Sequence, residues 1–291
     1  MNIYEQHSVP ANITPARLQE YGVSIFHACP TKSALKKALK KSQITVNGTI
    51  ASTATFITGG ETIELSIPEE ALRPKKKLIF PLKVIHEDEH LALIHKPAGI
   101  LVSGNGFMTI ANALDQNLKQ SSQPDATLPR PIHRLDYATT GILLCGKTNS
   151  CIRALSKLFQ DKLVHKTYFA IAIGEMNTSE TINTPIDGKP SKSHFEIIES
   201  VSSERFGTLN LVKLSPETGR RHQLRKHLSG LGNPILGDKD YGQEGLILNG
   251  KGLYLHAHSI AFEHPVAKEP ITFVSPLPEK FSKIFPSQGK F

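Results

Sequence analysis

His133–Thr148 reads HRLDYATTGILLCGKT, and the fold turns on which half of it is a loop. The last eight residues, GILLCGKT, match the phosphate-cradling pattern G-x-x-x-x-G-K-[ST] letter for letter. A phosphate loop needs flexible backbone whose amides bend around the anion, between a strand and a helix. Here the variable positions are Ile142, Leu143, Leu144 and Cys145, an unbroken apolar run with the texture of a buried strand. The spacing therefore predicts a strand over GILLCGKT. It leaves HRLDYATT, with Arg134 and Asp136 two residues apart, as the loop that carries chemistry.

Working outward, a chain of 291 residues with 39% hydrophobic and 21% charged residues has room for one large domain and a small one. Its formal net charge of +8 favours a polyanionic partner. The start, MNIYEQHSVPANITPARLQEY, lacks the basic and apolar runs of a signal peptide, and no apolar stretch is long enough to span a bilayer. Cys29, Cys145 and Cys151 are too scattered for a disulfide framework. The expectation is a cytoplasmic protein with no membrane partner.

Residues 1–70 read as a small domain of their own. Ala34, Leu35, Ala38 and Leu39 alternate in pairs with Lys36, Lys37, Lys40 and Lys41, which at about 100° per residue gives a helix with an apolar arc and a lysine arc. Pro30-Thr31 supplies its start. QITVNGTI follows as a hairpin turning at Asn47-Gly48, with a second strand pair expected around TFITGGETIELSI. A charge run is ordinarily a solvated face, but like charges on one arc repel unless something anionic answers them. Residues 71–81, holding Arg73, Lys75, Lys76 and Lys77 among prolines, read as a basic linker.

From residue 82 to 291, short β-like runs are interspersed with helical stretches such as IRALSKLFQDK and RRHQLRKHLSGL. Without strict βαβ alternation, this predicts an α+β fold: a mixed, mainly antiparallel sheet domain after the small helix-plus-hairpin domain. A G-x-S-x-G serine elbow is absent. His256, His258 and His264 lack the cysteine pair or H-E-x-x-H of a zinc site, so they are read as packing or RNA-facing, and no metal is expected.

The remaining signals are HKPAGILVSG (His95–Gly104), HRLDYATTG (His133–Gly141), HKTYFAIAIGE (His165–Glu175) and TGRRHQLRKHLSGLGNPILGDKDYG (Thr218–Gly242). As an ordered set they resemble the RluA-type family of RNA pseudouridine synthases. The first block resembles the small RNA-binding module first named for a ribosomal small-subunit protein. The resemblance implies the pseudouridine synthase fold and a cofactor-free isomerase acting as a monomer on specific uridines in rRNA or tRNA. Asp136 matches the family's catalytic carboxylate, Arg134 the residue that enters the space of the flipped uridine, and Tyr168 the tyrosine stacked on uracil. Arg225 matches the arginine paired with the aspartate, and Leu224 an aliphatic contact to the base; Lys36, Lys37, Lys40 and Lys41 would face RNA. Two positions depart from the usual pattern: His95 stands where an aspartate precedes K-P-A-G, and Thr140 replaces a serine. The runner-up readings are a non-catalytic RNA-binding or ribosome-assembly factor and a phosphate-loop nucleotide hydrolase.

Isomerising uridine exchanges a bond from sugar to ring nitrogen for one from sugar to ring carbon. No energy carrier or redox group is called for by that exchange. A carboxylate must attack or deprotonate the ribose, or stabilise the charge developing there.

Overall fold

The computed structural model describes residues 3–68 and 78–288, and the chain divides into two compact units, residues 1–76 and 77–291. The basic cluster expected in the linker (Arg73, Lys75, Lys76 and Lys77) lies outside the described residues.

In the first unit, β1 (Ile3–Ser8), β2 (Ala16–Arg17) and the short α1 (Leu18–Tyr21) precede α2 (Lys32–Lys40). The Thr31 hydroxyl caps α2 by accepting from the Ala34 N–H at 3.2 Å, as the Pro-Thr start predicted. β3 (Ile44–Val46) and β4 (Thr49–Ile50) form the predicted hairpin, with Asn47 at φ 48° and Gly48 at φ 75° in the tight turn. Leu35, Ala38 and Leu39 of α2 pack with Leu18, Phe26, Ile44, Ile63 and Leu65 in one core.

The second strand pair takes another form. β5 (Phe56–Ile57) pairs with β2, while β6 (Thr62–Ile67) sits between β1 and β3, so the two strands enter different sheets. Glu61 makes the break: its carboxylate accepts from the Thr58 N–H and hydroxyl and from the Gly59 N–H at 2.6–2.8 Å, folding Thr58–Glu61 into a closed loop.

The second unit is built on a ten-stranded sheet. Its strands and helices run β7 (Lys83–Glu87), β8 (Leu91–Lys96), α3 (Ile110–Asn117), β9 (Ala126–Pro131), β10 (Thr140–Thr148), α4 (Asn149–Gln160), β11 (His165–Ile173) and β12 (Ser179–Ile182). Then come β13 (Ser193–Ser203), β14 (Gly207–Pro216), α5 (Gln223–Gly230), β15 (Leu255–Glu263), β16 (Pro270–Val274) and α6 (Glu279–Ser282). The main order is β12-β13-β14-β11-β15-β10-β8-β7, with β9 on β10 and β16 on β15. Every pairing is antiparallel except β10 with β15, as the α+β reading expected.

GILLCGKT is the greater part of β10, buried on both faces. Leu143 and Cys145 pack with Ile94 and with Ile110 and Leu114 of α3. Ile142 and Leu144 face the other way, onto Leu91, Leu93 and Cys151 and Leu155 of α4. A strand covered on both sides reads as a continuous apolar run.

Both glycines of the pattern have structural reasons. Gly141, at φ 116°, lies so close to β15 that a Cβ would come within 2.2 Å of the Ala257 carbonyl oxygen. A Cβ on Gly146 would meet the Ile152 side chain of α4 at 2.5 Å. Among the described residues, no helix is long and apolar enough to cross a membrane.

Candidate active site

The loop His133–Thr139, the strand β11 and the start of α5 meet at a cavity of about 350 Å³ in the second unit. Asp136, Arg134, Tyr168 and Leu224 all line it, so these sequence-predicted residues are brought together from separate elements.

The Asp136 loop is held from behind by a lysine. Lys96, at the end of β8, is wholly buried, and its ammonium donates to the carbonyls of Pro97 (2.9 Å), Tyr137 (3.2 Å) and Thr139 (2.9 Å). Burial pulls its pKa down to about 8, opposed by the Asp136 charge. The Gly99 N–H also reaches the Tyr137 carbonyl, at 2.8 Å, and the Thr139 N–H closes the turn onto the Asp136 carbonyl at 3.1 Å. Asp136 itself keeps a side chain 17% exposed, open to the cavity.

Tyr168 stands where β11 shifts register against β15, a bulge between Thr167 and Tyr168. Such irregularities re-aim a side chain, here into the cavity. Burial, and then the charge of Asp136, raises the pKa of its phenol, so the hydroxyl stays protonated at neutral pH. Lys166, on the same strand, has its pKa lowered by burial and lies 5.7 Å over the Phe159 ring. His133 stacks on that ring at 5.1 Å and accepts from the Leu144 N–H. Desolvation and Lys166 push its pKa down to about 3, so it is a neutral framework group.

Arg225 serves three carboxylates, and Asp136 is not the one it grips most closely. Its fork closes on Asp238, through Nε at 2.7 Å and Nη2 at 2.6 Å, with Asp240 also on Nη2 at 2.7 Å. Asp136 lies 3.9 Å from Nη1, an ion pair without a hydrogen bond. The Asp238 side chain has no exposed surface and needs charged donors, whereas Asp136 faces the cavity. Burial disfavours the guanidinium charge, but Asp238 and Asp240 outweigh it and raise the Arg225 pKa.

Several groups had no place in the sequence reading. Gln223 is buried, and its amide donates to the Lys192 carbonyl and the Ser193 hydroxyl while its oxygen accepts from the Thr218 hydroxyl and the Arg220 N–H. That ties the start of α5 to the loop Thr218–Arg220 and to β13. Thr139 lines the cavity, and its hydroxyl, enclosed within the protein, has no hydrogen-bond partner among the described residues. His222 also lines the cavity. Their only sequence signal was membership of the quoted motifs.

The two departures from the family pattern meet in one place. The Thr140 hydroxyl lies 2.8 Å from Nδ1 of His256, and the His95 and His256 rings are 5.8 Å apart. His95 Nδ1 lies 3.1 Å from the Ser275 hydroxyl. His256 and His258 both hydrogen-bond the Ser275 carbonyl, and His264 pairs with Asp88 at 3.0 Å. These histidines therefore pack. None of the described residues forms a His/Cys/Asp/Glu group able to hold a metal. Lys147 of the phosphate-loop spelling is buried and bound to Glu87 at 2.7 Å.

Arg134 is exposed at the cavity rim. In the first unit Lys37, Lys40 and Lys41 are exposed and Lys36 is half-buried; among the described residues no carboxylate forms an ion pair with any of them. Glu20 is taken by Lys32 at 2.5 Å.

A model of the family described as RNA pseudouridylate synthase matches residues 90–230. The "Ribosomal large subunit pseudouridine synthase C" of Vibrio vulnificus is 32% identical, over 88% of this chain and 88% of its own. The "Ribosomal large subunit pseudouridine synthase D" of Nitrosomonas europaea is 29% identical, over 95% of this chain and 86% of its own. Among solved structures, "Human RNA Pseudouridylate Synthase Domain Containing 4" superposes with a TM-score of 0.55 at 27% identity, covering 68% of this chain and 90% of that one. With its converging motif residues and its relatives over nearly its whole length, this chain belongs to the RNA pseudouridylate synthase family.

Proposed function

We propose that the protein isomerises uridine to pseudouridine in structured RNA, with ribosomal RNA as the substrate and Asp136 as the catalytic carboxylate. The observation that carries this is the convergence of Asp136, Tyr168 and Leu224 on one cavity, with Arg225 3.9 Å behind the carboxylate. The large-subunit rRNA activity in the names of the bacterial relatives supports the substrate class.

The chemistry divides among these groups. Asp136, flanked by the permanent charge of Arg225, acts on the ribose as the glycosidic bond breaks. The neutral Tyr168 presents a ring for stacking and a hydroxyl within the cavity, while Leu224 gives the base an apolar contact. A flipped nucleotide leaves a gap in the RNA stack, and the exposed Arg134 at the rim fills it. The first unit serves as an RNA-binding domain, with Lys36, Lys37, Lys40 and Lys41 on phosphates.

Neither alternative draws on a specific observation. A nucleotide hydrolase would need Lys147 free, and its ammonium is buried between Glu87 and the Asp88 carbonyl. The test is release of tritium from large-subunit rRNA transcripts labelled at uridine C5, the position that becomes the glycosidic carbon. Asp136→Asn is expected to lose at least about a thousandfold in rate, with RNA binding retained. An active Asn variant would overturn the assignment.

A further inference from the structure

Resting on that reading of the site, we propose that His222 and Tyr241 form a positioning pair which, together with Arg225, orients both oxygens of the Asp136 carboxylate. The buried Asp238 is the common foundation of both arms.

His222 precedes α5 in the left-handed region, at φ 56°, and its side chain is 15% exposed. Its Nε2 lies 3.8 Å from Asp136 Oδ1, while Arg225 Nη1 lies 3.9 Å from Oδ2. Each carboxylate oxygen therefore faces a nitrogen of its own. Both distances exceed a hydrogen bond, and contacts of this kind tighten when substrate arrives.

The other ring nitrogen settles the tautomer. His222 Nδ1 lies 2.9 Å from the Tyr241 hydroxyl. If Nδ1 carried the proton, the Nε2 lone pair would point at a carboxylate, which is repulsive. With the Tyr241 hydroxyl donating to Nδ1, Nε2 carries the proton and offers it to Asp136. Only this neutral arrangement is attractive at both ends.

Tyr241 is itself fixed. Its N–H donates to Asp238 Oδ1 at 3.1 Å, its carbonyl accepts from the Ser229 hydroxyl at 2.8 Å, and the Arg225 guanidinium lies 4.9 Å over its ring. Asp238, 1% exposed, also takes the Arg225 fork. One carboxylate thus sets the arm to Oδ2 directly and the arm to Oδ1 through Tyr241 and His222. This accounts for the aspartate and tyrosine of GDKDYG by geometry.

The charged groups around His222 are Asp136 and Asp240, which favour protonation, and Arg225 and Arg221, which oppose it. Burial is the largest influence and keeps the ring's pKa below its usual value, hence neutral at neutral pH.

The experiment measures tritium release by the full-length protein from the C5-labelled rRNA transcripts across pH 5–9, with thermal melts of every variant. Loss of a hydrogen bond to a charged group predicts a kcat about 10- to 100-fold lower in His222→Leu, with KM within about twofold. His222→Gln, whose amide N–H can take the place of Nε2, is expected to recover most of that loss. Tyr241→Phe removes the donor that keeps the ring proton on Nε2, so kcat should fall there too, with KM within about twofold. If His222→Leu melts early, the Gln and Phe variants decide the question. Wild-type kcat in Tyr241→Phe or in His222→Leu, or a His222→Gln no better than a stably folded His222→Leu, overturns the positioning pair while leaving the isomerase reading intact. A wild-type protein that releases no tritium overturns that reading, and this proposal with it.

Discussion

Lys96 has no accessible surface, and its ammonium faces backbone carbonyls instead of a carboxylate. Gly99 also serves the Tyr137 carbonyl, so replacing Lys96 by methionine would orphan chiefly the carbonyls of Pro97 and Thr139. Each buried acceptor left unmade costs about 1–3 kcal/mol, partly offset because a cation is no longer desolvated. Lys96→Met is therefore expected to lower stability by about 2–4 kcal/mol, read from urea midpoints. It should also reduce kcat at least about tenfold, because the turn carrying Asp136 loses its anchor. Unchanged values of both would show that Gly99 alone holds the loop. The lysine was visible in HKPAG as a letter, but its three carbonyl partners belong to residues up to 43 positions away in the chain.

Among the elements, β10 was the most legible, because four apolar residues covered on both faces leave a pattern no phosphate loop would produce. The helix α2 and the Asn47-Gly48 hairpin were legible for the same local reasons. What escaped were features decided by distant partners. β1 has little alternation and exists because β6 offers it an edge, with Ile3 opposite Ile67 through Ser8 opposite Thr62. The split of Thr55–Ile67 between two sheets depends on the Glu61 carboxylate, which no periodicity registers. At the site, Asp136, Tyr168 and Leu224 were found through motifs, while the partner of the Arg225 fork, Asp238, emerged only from the geometry.

The strands also carry an acid sensitivity. His133 beside β10 and His256 on β15 are held neutral, each with its pKa pushed down to about 3 from an ordinary value of 6.5. As pH falls below 6.5 the unfolded chain takes up protons that the folded chain refuses, so stability is lost through the window from about 6.5 to 3. Each histidine contributes about 1.4 kcal/mol per pH unit there. Urea unfolding between pH 6 and 5 should show a steep loss, and His256→Gln should reduce the slope by about 1 kcal/mol per unit. A flat profile across that window would contradict the buried neutral histidines.

Over the whole molecule, the net charge of +8 needs an address, and the lysine arc of the first unit, with Lys37, Lys40 and Lys41 exposed, provides one. Changing Lys36, Lys37, Lys40 and Lys41 to glutamine should weaken binding to rRNA fragments. It should also flatten the plot of log affinity against log salt by about 3, at roughly 0.7–0.9 per phosphate contact. An unchanged slope would mean a solvated helix face. The central claim is catalytic, and a pseudouridine map of large-subunit rRNA tests it most directly. The map would compare a strain lacking this gene with the same strain carrying the wild-type chain or Asp136→Asn. One or more pseudouridines should disappear in the deletion, return with the wild-type chain and stay absent with the Asn variant. A map unchanged by the deletion, or restored by Asp136→Asn, would contradict it.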